Sequence, residues 1–282
     1  MDKKALVLEG GGMRGVYTAG VLDLFLEKDI DMKYCIGVSA GATQTVSYLS
    51  KQYKRNYRVN IDYIRDKRYL SFRNLMKTGS IFGMDMLFDI IPNKLDPFDY
   101  KEFKEHDATL VVGVTNCETG RPEYYNLNDL DNGFDALRAT ISLPLVAPIV
   151  EYEGKKLLDG GITDPIPIKK SIEDGNEKHV IVLTQHKGYT KGKNKALSFI
   201  RRKYKRFPKL IEALEKRHEV YNETLELLDE LEKEGKCFII RPSEPLNIGR
   251  LERNTEKLNN AYEQGYDDAK NLYNKLMEFL GE

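Results

Sequence analysis

Gly37-Val38-Ser39-Ala40-Gly41 carries more chemical content than any other stretch of this 282-residue chain. It fits G-x-S-x-G, the turn that presents a serine hydroxyl at a strand-to-helix junction. Tyr34-Cys35-Ile36 before it reads as a buried strand, and Ala40 to about Lys51 reads as a helix. Ser39 then stands on the tight turn between them. Gly37 and Gly41 suit that turn, which strains the backbone and brings neighbouring chain close. The helix N-terminus behind Ser39 offers free N–H groups to negative charge. A glycine-rich turn that carries a serine for no chemical reason is the plain alternative.

A second glycine element lies upstream. Lys4-Ala5-Leu6-Val7-Leu8 reads as a strand, Glu9-Gly10-Gly11-Gly12-Met13-Arg14-Gly15 follows, and Val16 to Glu27 has apolar residues at helical spacing. Consecutive glycines expose backbone N–H groups, so this loop can cradle a phosphate or the oxyanion of an ester transition state. Gly10, Gly12 and Gly15 also satisfy G-x-G-x-x-G, the dinucleotide fingerprint. That fingerprint expects a carboxylate at the end of the second strand to hold a ribose. Here the second strand ends in Gly37-Val38-Ser39, a candidate nucleophile. The G-K-[S/T] ending of a phosphate loop is missing as well.

The third element is Asp159-Gly160-Gly161, after Lys155-Lys156-Leu157-Leu158. Alone it is an ordinary turn. With the other two, in this order and spacing, it makes the sequence resemble the patatin-like phospholipase family over about residues 4–185. That family's signature is a G-G-G-x-[K/R]-G loop, a G-x-S-x-G elbow and a later D-G-[G/A]. Ala139-Thr140-Ile141-Ser142-Leu143-Pro144 is similar to a further family segment, A-[T/S]-x-A-x-P. One departure is Asp164-Pro165-Ile166-Pro167, where family members often carry Asn in an N-x-P context.

The resemblance implies hydrolysis of lipid or phospholipid carboxylic esters by a Ser–Asp dyad, with no cofactor and no metal. Ser39 would be the nucleophile and Asp159 the general base. The backbone amides of Gly11, Gly12 and Met13 would form the oxyanion hole, supported by Gly10, Arg14 and Gly15. Gly160 and Gly161 would shape the turn after Asp159. Arg14 is expected either to bind a phosphate or to lock the loop by pairing with a carboxylate. A lone aspartate is a weak base, so its pKa is expected to be raised by burial. Of the four histidines, His106 and His218 sit in charged stretches, and His179 precedes an apolar strand. His186 follows that strand and is the candidate for a Ser-His-Asp arrangement instead. A reading from another class is a catalytically inactive lipid- or nucleotide-binding module.

Strands are expected at 4–8, 34–38, 109–115, 123–126, 148–152, 156–158 and 179–184, and helices at 13–27, 40–51, 61–67, 84–91, 134–142 and 167–173. Such alternation predicts a three-layer α/β/α fold with a mainly parallel central sheet, and ligand sites beyond the strand C-termini. Residues 1–186 form the expected catalytic core, with 53–100 as a cap or insertion whose Met76, Ile81, Phe82, Met84, Met86, Leu87 and Phe88 could line an acyl pocket or equally form an ordinary core segment. Residues 187–282 are expected to add a mostly helical extension on the same domain: a helix over 208–234, a strand at 237–240 and an amphipathic helix over 254–280.

The net charge of zero argues against general nucleic-acid affinity. Three widely spaced cysteines, Cys35, Cys117 and Cys237, predict a reduced, cytoplasmic chain without disulfides. No segment reaches the roughly 20 apolar residues of a membrane span, and the apolar run at the N-terminus is too short for a signal peptide. Residues 187–209 hold ten basic residues and no acidic one, a candidate for peripheral contact with anionic membrane lipids or simply a solvated face.

Overall fold

The central strands are apolar on both sides, so neither face of the sheet can be left to water. In the computed structural model, which describes residues 3–127 and 134–281, β1 (Lys4–Leu8), β2 (Tyr34–Val38), β3 (Thr109–Asn116), β7 (Lys178–Val182) and β8 (Cys237–Ile240) run parallel. The shorter β4 (Pro122–Asn126), β5 (Val150–Tyr152) and β6 (Lys155–Asp159) complete one eight-stranded sheet. The order is β5-β6-β3-β2-β1-β7-β8, with β4 also on β3. The flank beyond β3 is antiparallel where the chain turns back tightly. Between β5 and β6 this is a two-residue hairpin, Glu153-Gly154, with φ of 49° and 72°.

Among the described residues, the α-helices of six or more residues are α1 (Gly15–Glu27), α2 (Ala40–Leu49), α3 (Phe72–Thr78), α4 (Tyr100–Glu105), α5 (Phe134–Thr140), α6 (Ile168–Glu173), α7 (Leu197–Lys203), α8 (Pro208–Lys233) and α9 (Thr255–Leu280). The two faces of β1 show the layering. Leu6 and Leu8 pack with α1, α2, α5 and α9, while Ala5 and Val7 pack with α6 and α8. Each fully buried leucine or valine side chain here contributes about 1.5–3 kcal/mol.

The chain after residue 186 is built into this frame. β8 pairs with β7 from His179↔Cys237 to Val182↔Ile240, and α9 lies along α1. The α1–α9 crossing is close because a glycine stands on each side. A Cβ at Gly20 would run into the Tyr262 carbonyl oxygen, and one at Gly265 into the Tyr17 carbonyl oxygen.

Apart from the expected helices over 61–67 and 84–91, the expected elements are present with ends shifted by a few residues, and three short helices, α3, α4 and α7, were not anticipated. The expected helix over 61–67 is instead a run of short turns of changing pitch between Arg55 and Arg65. The one over 84–91 is a wide helical segment, Met86–Leu95, with Pro92 inside. Pro92 lacks an N–H and crowds the preceding turn, which disfavours regular α-helix there.

Gly265→Ala is expected to lower stability by about 2–3 kcal/mol, because the overpacked crossing outweighs the gain in helix propensity of about 1 kcal/mol. Urea unfolding should show a lower midpoint. An unchanged or higher midpoint would mean the helices can separate freely.

Candidate active site

β3 carries two partners in succession along one edge. Tyr34–Val38 pair with Thr109–Gly113, and Asp159–Leu157 then pair with Val114–Asn116. β4 occupies the opposite edge over Val111–Thr115. β2 runs parallel to β3 and β6 antiparallel, so their C-terminal ends meet head to head. That junction brings Ser39 and Asp159, 120 positions apart, to 2.7 Å between Ser39 Oγ and Asp159 Oδ2, with the hydroxyl donating.

Ser39 has φ 53° and ψ −126°, a conformation that costs a non-glycine residue on the order of 1–3 kcal/mol. Its surroundings hold it there. Its N–H donates to Thr140 Oγ1 at 2.8 Å, and the Thr140 hydroxyl donates to the Gly113 carbonyl at 2.6 Å. Asp159 is held as firmly. Its N–H donates to the Ser142 carbonyl at 3.0 Å, its carbonyl accepts from Thr115 Oγ1 at 2.9 Å, and Oδ1 accepts the Gly161 N–H at 2.7 Å. Arg217 Nε donates to the Gly161 carbonyl. Burial raises the Asp159 pKa, while the Ser39 hydroxyl, Arg217, the Gly161 amide and Arg250 act in the opposite direction.

The glycine loop leaves β1 beside this pair. Gly10 N–H donates to the Pro165 carbonyl at 3.3 Å, and Gly15 opens α1. Met13 N–H, expected with Gly11 and Gly12 to face an oxyanion, donates instead to the Arg250 carbonyl at 3.0 Å. Among the described residues, the Gly11 and Gly12 amides have no protein acceptor. Gly12 has φ 58° and lies against Arg250, where a Cβ would meet the Arg250 carbonyl at 2.6 Å. Gly37 is within β2, Gly41 sits on the Leu8 carbonyl, and Gly160 and Gly161 form the turn after Asp159.

Arg14 does not lock the loop by an ion pair. Among the described residues no carboxylate lies within 4.0 Å of its guanidinium, and its buried Nε has no hydrogen-bond partner. The nearby Glu9 is occupied by Thr184 N–H at 2.6 Å and Tyr221 OH at 2.8 Å. His186 Nδ1 is within 2.8 Å of the Lys187 carbonyl, and its ring packs edge-on to Tyr189. Asp164, the departure from the family pattern, accepts from Tyr124 OH at 2.6 Å, and the following Pro165 braces Gly10.

Ser39 opens on an apolar cavity. Gly12, Met13 and Ala40 border it near the serine, and Val46, Phe82, Leu87, Phe88, Leu137 and Ile141 are among its walls. Asp159 borders a second cleft with Gly161, Arg217 and Arg250, and Leu143 lies between the two. Among the described residues, no group of three or more His, Cys, Asp and Glu side chains could hold a metal ion. No helix among them is long and apolar enough to cross a membrane.

With this geometry in place, comparison with known proteins gives the family. The chain belongs to the patatin-like phospholipase family, whose sequence model matches residues 6–171. Residues 207–281 match a separate domain of unknown function, DUF6363. The chain is 28 % identical to the uncharacterized protein YjjU of Escherichia coli K12 over 184 residues, 64 % of this chain and 51 % of that protein. It is 25 % identical to the probable lipid hydrolase 463L of Invertebrate iridescent virus 6, over 62 % of this chain and 66 % of that one. It is 27 % identical to lysophospholipase nte1 of Aspergillus fumigatus, over 58 % of this chain but 11 % of that protein. The match therefore spans from about a tenth to two thirds of these relatives. The solved structure of VipD from Legionella pneumophila shares the fold at a TM-score of 0.53 and 14 % identity, covering 96 % of this chain and 67 % of that one.

Thr140, Thr115 and Glu9 were not singled out by sequence reasoning. The A-T-I-S-L-P segment contains Thr140, but its spacing gives no hint of the bond to Ser39. Thr140→Val leaves the Ser39 N–H and the Gly113 carbonyl buried and unpaired, so stability should fall by about 2 kcal/mol or more, with Thr140→Ser nearly neutral. Equal unfolding midpoints for the two variants would show that the hydroxyl bridge is dispensable.

Proposed function

We propose that this protein hydrolyses carboxylic esters of lipids, using Ser39 as nucleophile and Asp159 as general base. The observation that carries the reading is the direct 2.7 Å hydrogen bond from a strained serine to a buried carboxylate beside an apolar cavity. Family membership and the lipid hydrolase and lysophospholipase names of relatives support the substrate class.

Asp159 takes the Ser39 proton as Oγ attacks the ester carbonyl carbon. The developing oxyanion is stabilised by the Gly11 and Gly12 amides and by the N-terminus of α2. As the tetrahedral intermediate collapses, the carbon–oxygen bond to the alcohol breaks, and protonated Asp159 gives its proton to the departing oxygen. Water then enters, loses a proton to Asp159 and attacks the acyl-enzyme. Release of the fatty acid returns the proton to Ser39. No histidine is required, because Asp159 reaches the hydroxyl itself and burial strengthens it as a base. The Ser-His-Asp alternative through His186 has less support, because that ring is bonded to its own loop.

The insertion over 53–100 supplies acyl-pocket walls in this reading, through Phe82, Leu87 and Phe88. Contact with a lipid surface is supported by Phe72 and Met76 on α3 and by Phe199 on α7, which are 70 %, 74 % and 69 % exposed. The stretch between α3 and the wide helix is tied to the loop after α5 by Ile81 N–H to the Val146 carbonyl at 2.8 Å. The basic segment reaches the same loop through Lys203 Nζ to the Leu145 carbonyl at 3.2 Å.

Fluorophosphonate labelling and turnover of a p-nitrophenyl ester are expected in the wild type. Ser39→Ala should abolish labelling, and Ser39→Ala and Asp159→Asn should each lower kcat by roughly 10³-fold or more. Labelling that survives Ser39→Ala would assign the nucleophile elsewhere. The reaction needs ionised Asp159, so the rate is present above its pKa and lost as pH falls through it. Because burial raises that pKa, the acid limb of kcat/KM should lie above the ordinary aspartate range. A limb within that range contradicts direct base catalysis by a buried Asp159. Leu87→Trp should reduce kcat/KM on long-chain esters relative to short-chain ones by about tenfold. An unchanged chain-length profile would place the acyl chain outside this cavity.

A further inference from the structure

Four basic side chains, Arg14, Lys191, Arg217 and Arg250, lie close enough for their charges to oppose one another, and two of them, Arg217 and Arg250, stand beside Asp159. Among the described residues none of them makes an ion pair within 4.0 Å. Two carboxylates, Glu9 and Asp159, bear on Arg14, Lys191 and Arg217. Glu9 is engaged by Thr184 and Tyr221, and Asp159 by Ser39 and Gly161. The cluster thus holds more positive than negative charge in a largely buried place.

Lys191 is the most telling member. It is only 8 % exposed, and its Nζ lies 4.0 Å from the Tyr221 ring centroid and 5.5 Å from that of Tyr189. Its backbone is clamped by Asn222, which accepts its N–H at 2.8 Å and donates to its carbonyl at 3.1 Å. Burial and the neighbouring arginines lower its pKa to about 7. Burying cations without partners is costly, and an incoming anion relieves that cost.

The position of the cluster says which part of a substrate would meet it. Ser39 borders the apolar cavity, Asp159 borders the cleft with Arg217 and Arg250, and Leu143 borders both. An ester with its carbonyl at Ser39 and its acyl chain in the apolar cavity projects its alcohol part into the arginine cleft. We propose that Arg217 and Arg250, backed by Lys191 and Arg14, form a phosphate subsite for that alcohol part, so that phosphate-bearing lipid esters are preferred to neutral esters of the same acyl chain. The guanidinium fork matches phosphate oxygens in pairs, and two arginines with a lysine behind them exceed what one carboxylate would need. Arg217 and Arg250 both lie in the 207–281 segment, outside the 6–171 match, so this selectivity is a property of the C-terminal segment. The inference rests on the ester-hydrolase reading of Ser39 and Asp159 for its placement of the substrate.

The test is calorimetric titration of Ser39→Ala with 1-hexanoylglycerol 3-phosphate, uncharged 1-hexanoylglycerol and inorganic phosphate. The lipid phosphate should bind about tenfold or more tightly than the neutral ester. Adding Arg250→Gln should remove most of that difference, Arg250→Lys should restore part of it, and the neutral ester should be unaffected. Arg217→Gln, checked for an intact unfolding transition, should act in the same direction. Equal binding of the two esters, or equal weakening of both by Arg250→Gln, overturns the proposal. Inorganic phosphate binding as tightly as the lipid phosphate, and unaffected by capping Ser39 with a fluorophosphonate, would indicate a free-anion site and also overturns it. Because binding is read without the nucleophile, a preserved phosphate preference in a protein that hydrolyses no ester would defeat the hydrolase reading and leave the subsite standing.

Discussion

The hydrogen bond from Ser39 to Asp159 joins two strands that do not pair with each other. It exists because β2 and β6 share one edge of β3 and end at the same place from opposite directions. Neither residue reaches that place without support. Ser39 adopts a backbone conformation that most side chains avoid, and Asp159 gives up hydration that a carboxylate would otherwise keep. The rest of the site is what makes both tolerable. Thr140 bridges Ser39 to β3, Thr115 and Ser142 fix the Asp159 backbone, and the Gly161 amide takes the carboxylate oxygen that Ser39 leaves free.

The same demand explains the electrostatics. In the proposed reaction Asp159 acts as base without a histidine; such a carboxylate benefits from burial, which raises its pKa, but it must still ionise near neutral pH. Burial and the nearby arginines pull in opposite directions on Asp159, and burial is the larger influence. Arg217 links the two sides, since it holds the Gly161 carbonyl while its charge favours the ionised form. The glycine loop is likewise held from both flanks, by the Pro165 carbonyl at Gly10 and the Arg250 carbonyl at Met13. That bracing leaves Gly11 and Gly12 as the pair of amides without a protein acceptor among the described residues.

Much of this was legible in the sequence because it is encoded locally. Strands such as Lys4–Leu8 and Tyr34–Val38 announce themselves as short apolar runs that end in glycine or serine turns, and α9 by the spacing of Leu258, Ala261, Tyr262, Gly265 and Ala269. The stretch between Arg55 and Leu95 resisted because its order comes from contacts with the rest of the chain. Tyr57, for example, packs on Tyr262, and Arg58 pairs with Asp96, so the local sequence need not favour one helical pitch. Arg217 was hidden for a related reason. Within Glu215-Lys216-Arg217-His218-Glu219 it looks like one more charge on a solvated helix face, and Lys191 like one more in a basic run.

By itself, then, the sequence determined the types and turns of the chemical groups: a serine on an elbow, a glycine loop after a strand, an aspartate before two glycines. Those depend on backbone preferences within a few residues, which a sequence states directly. Only the tertiary structure decided which of these groups touch, which loop amides remain open, and that cations from residues 217 and 250 converge on a site whose motifs end by residue 161, with Lys191 behind them. Such convergence depends on strand order, on a shared edge and on helix crossings, and it is set by long-range packing that has no local spacing from which to read it.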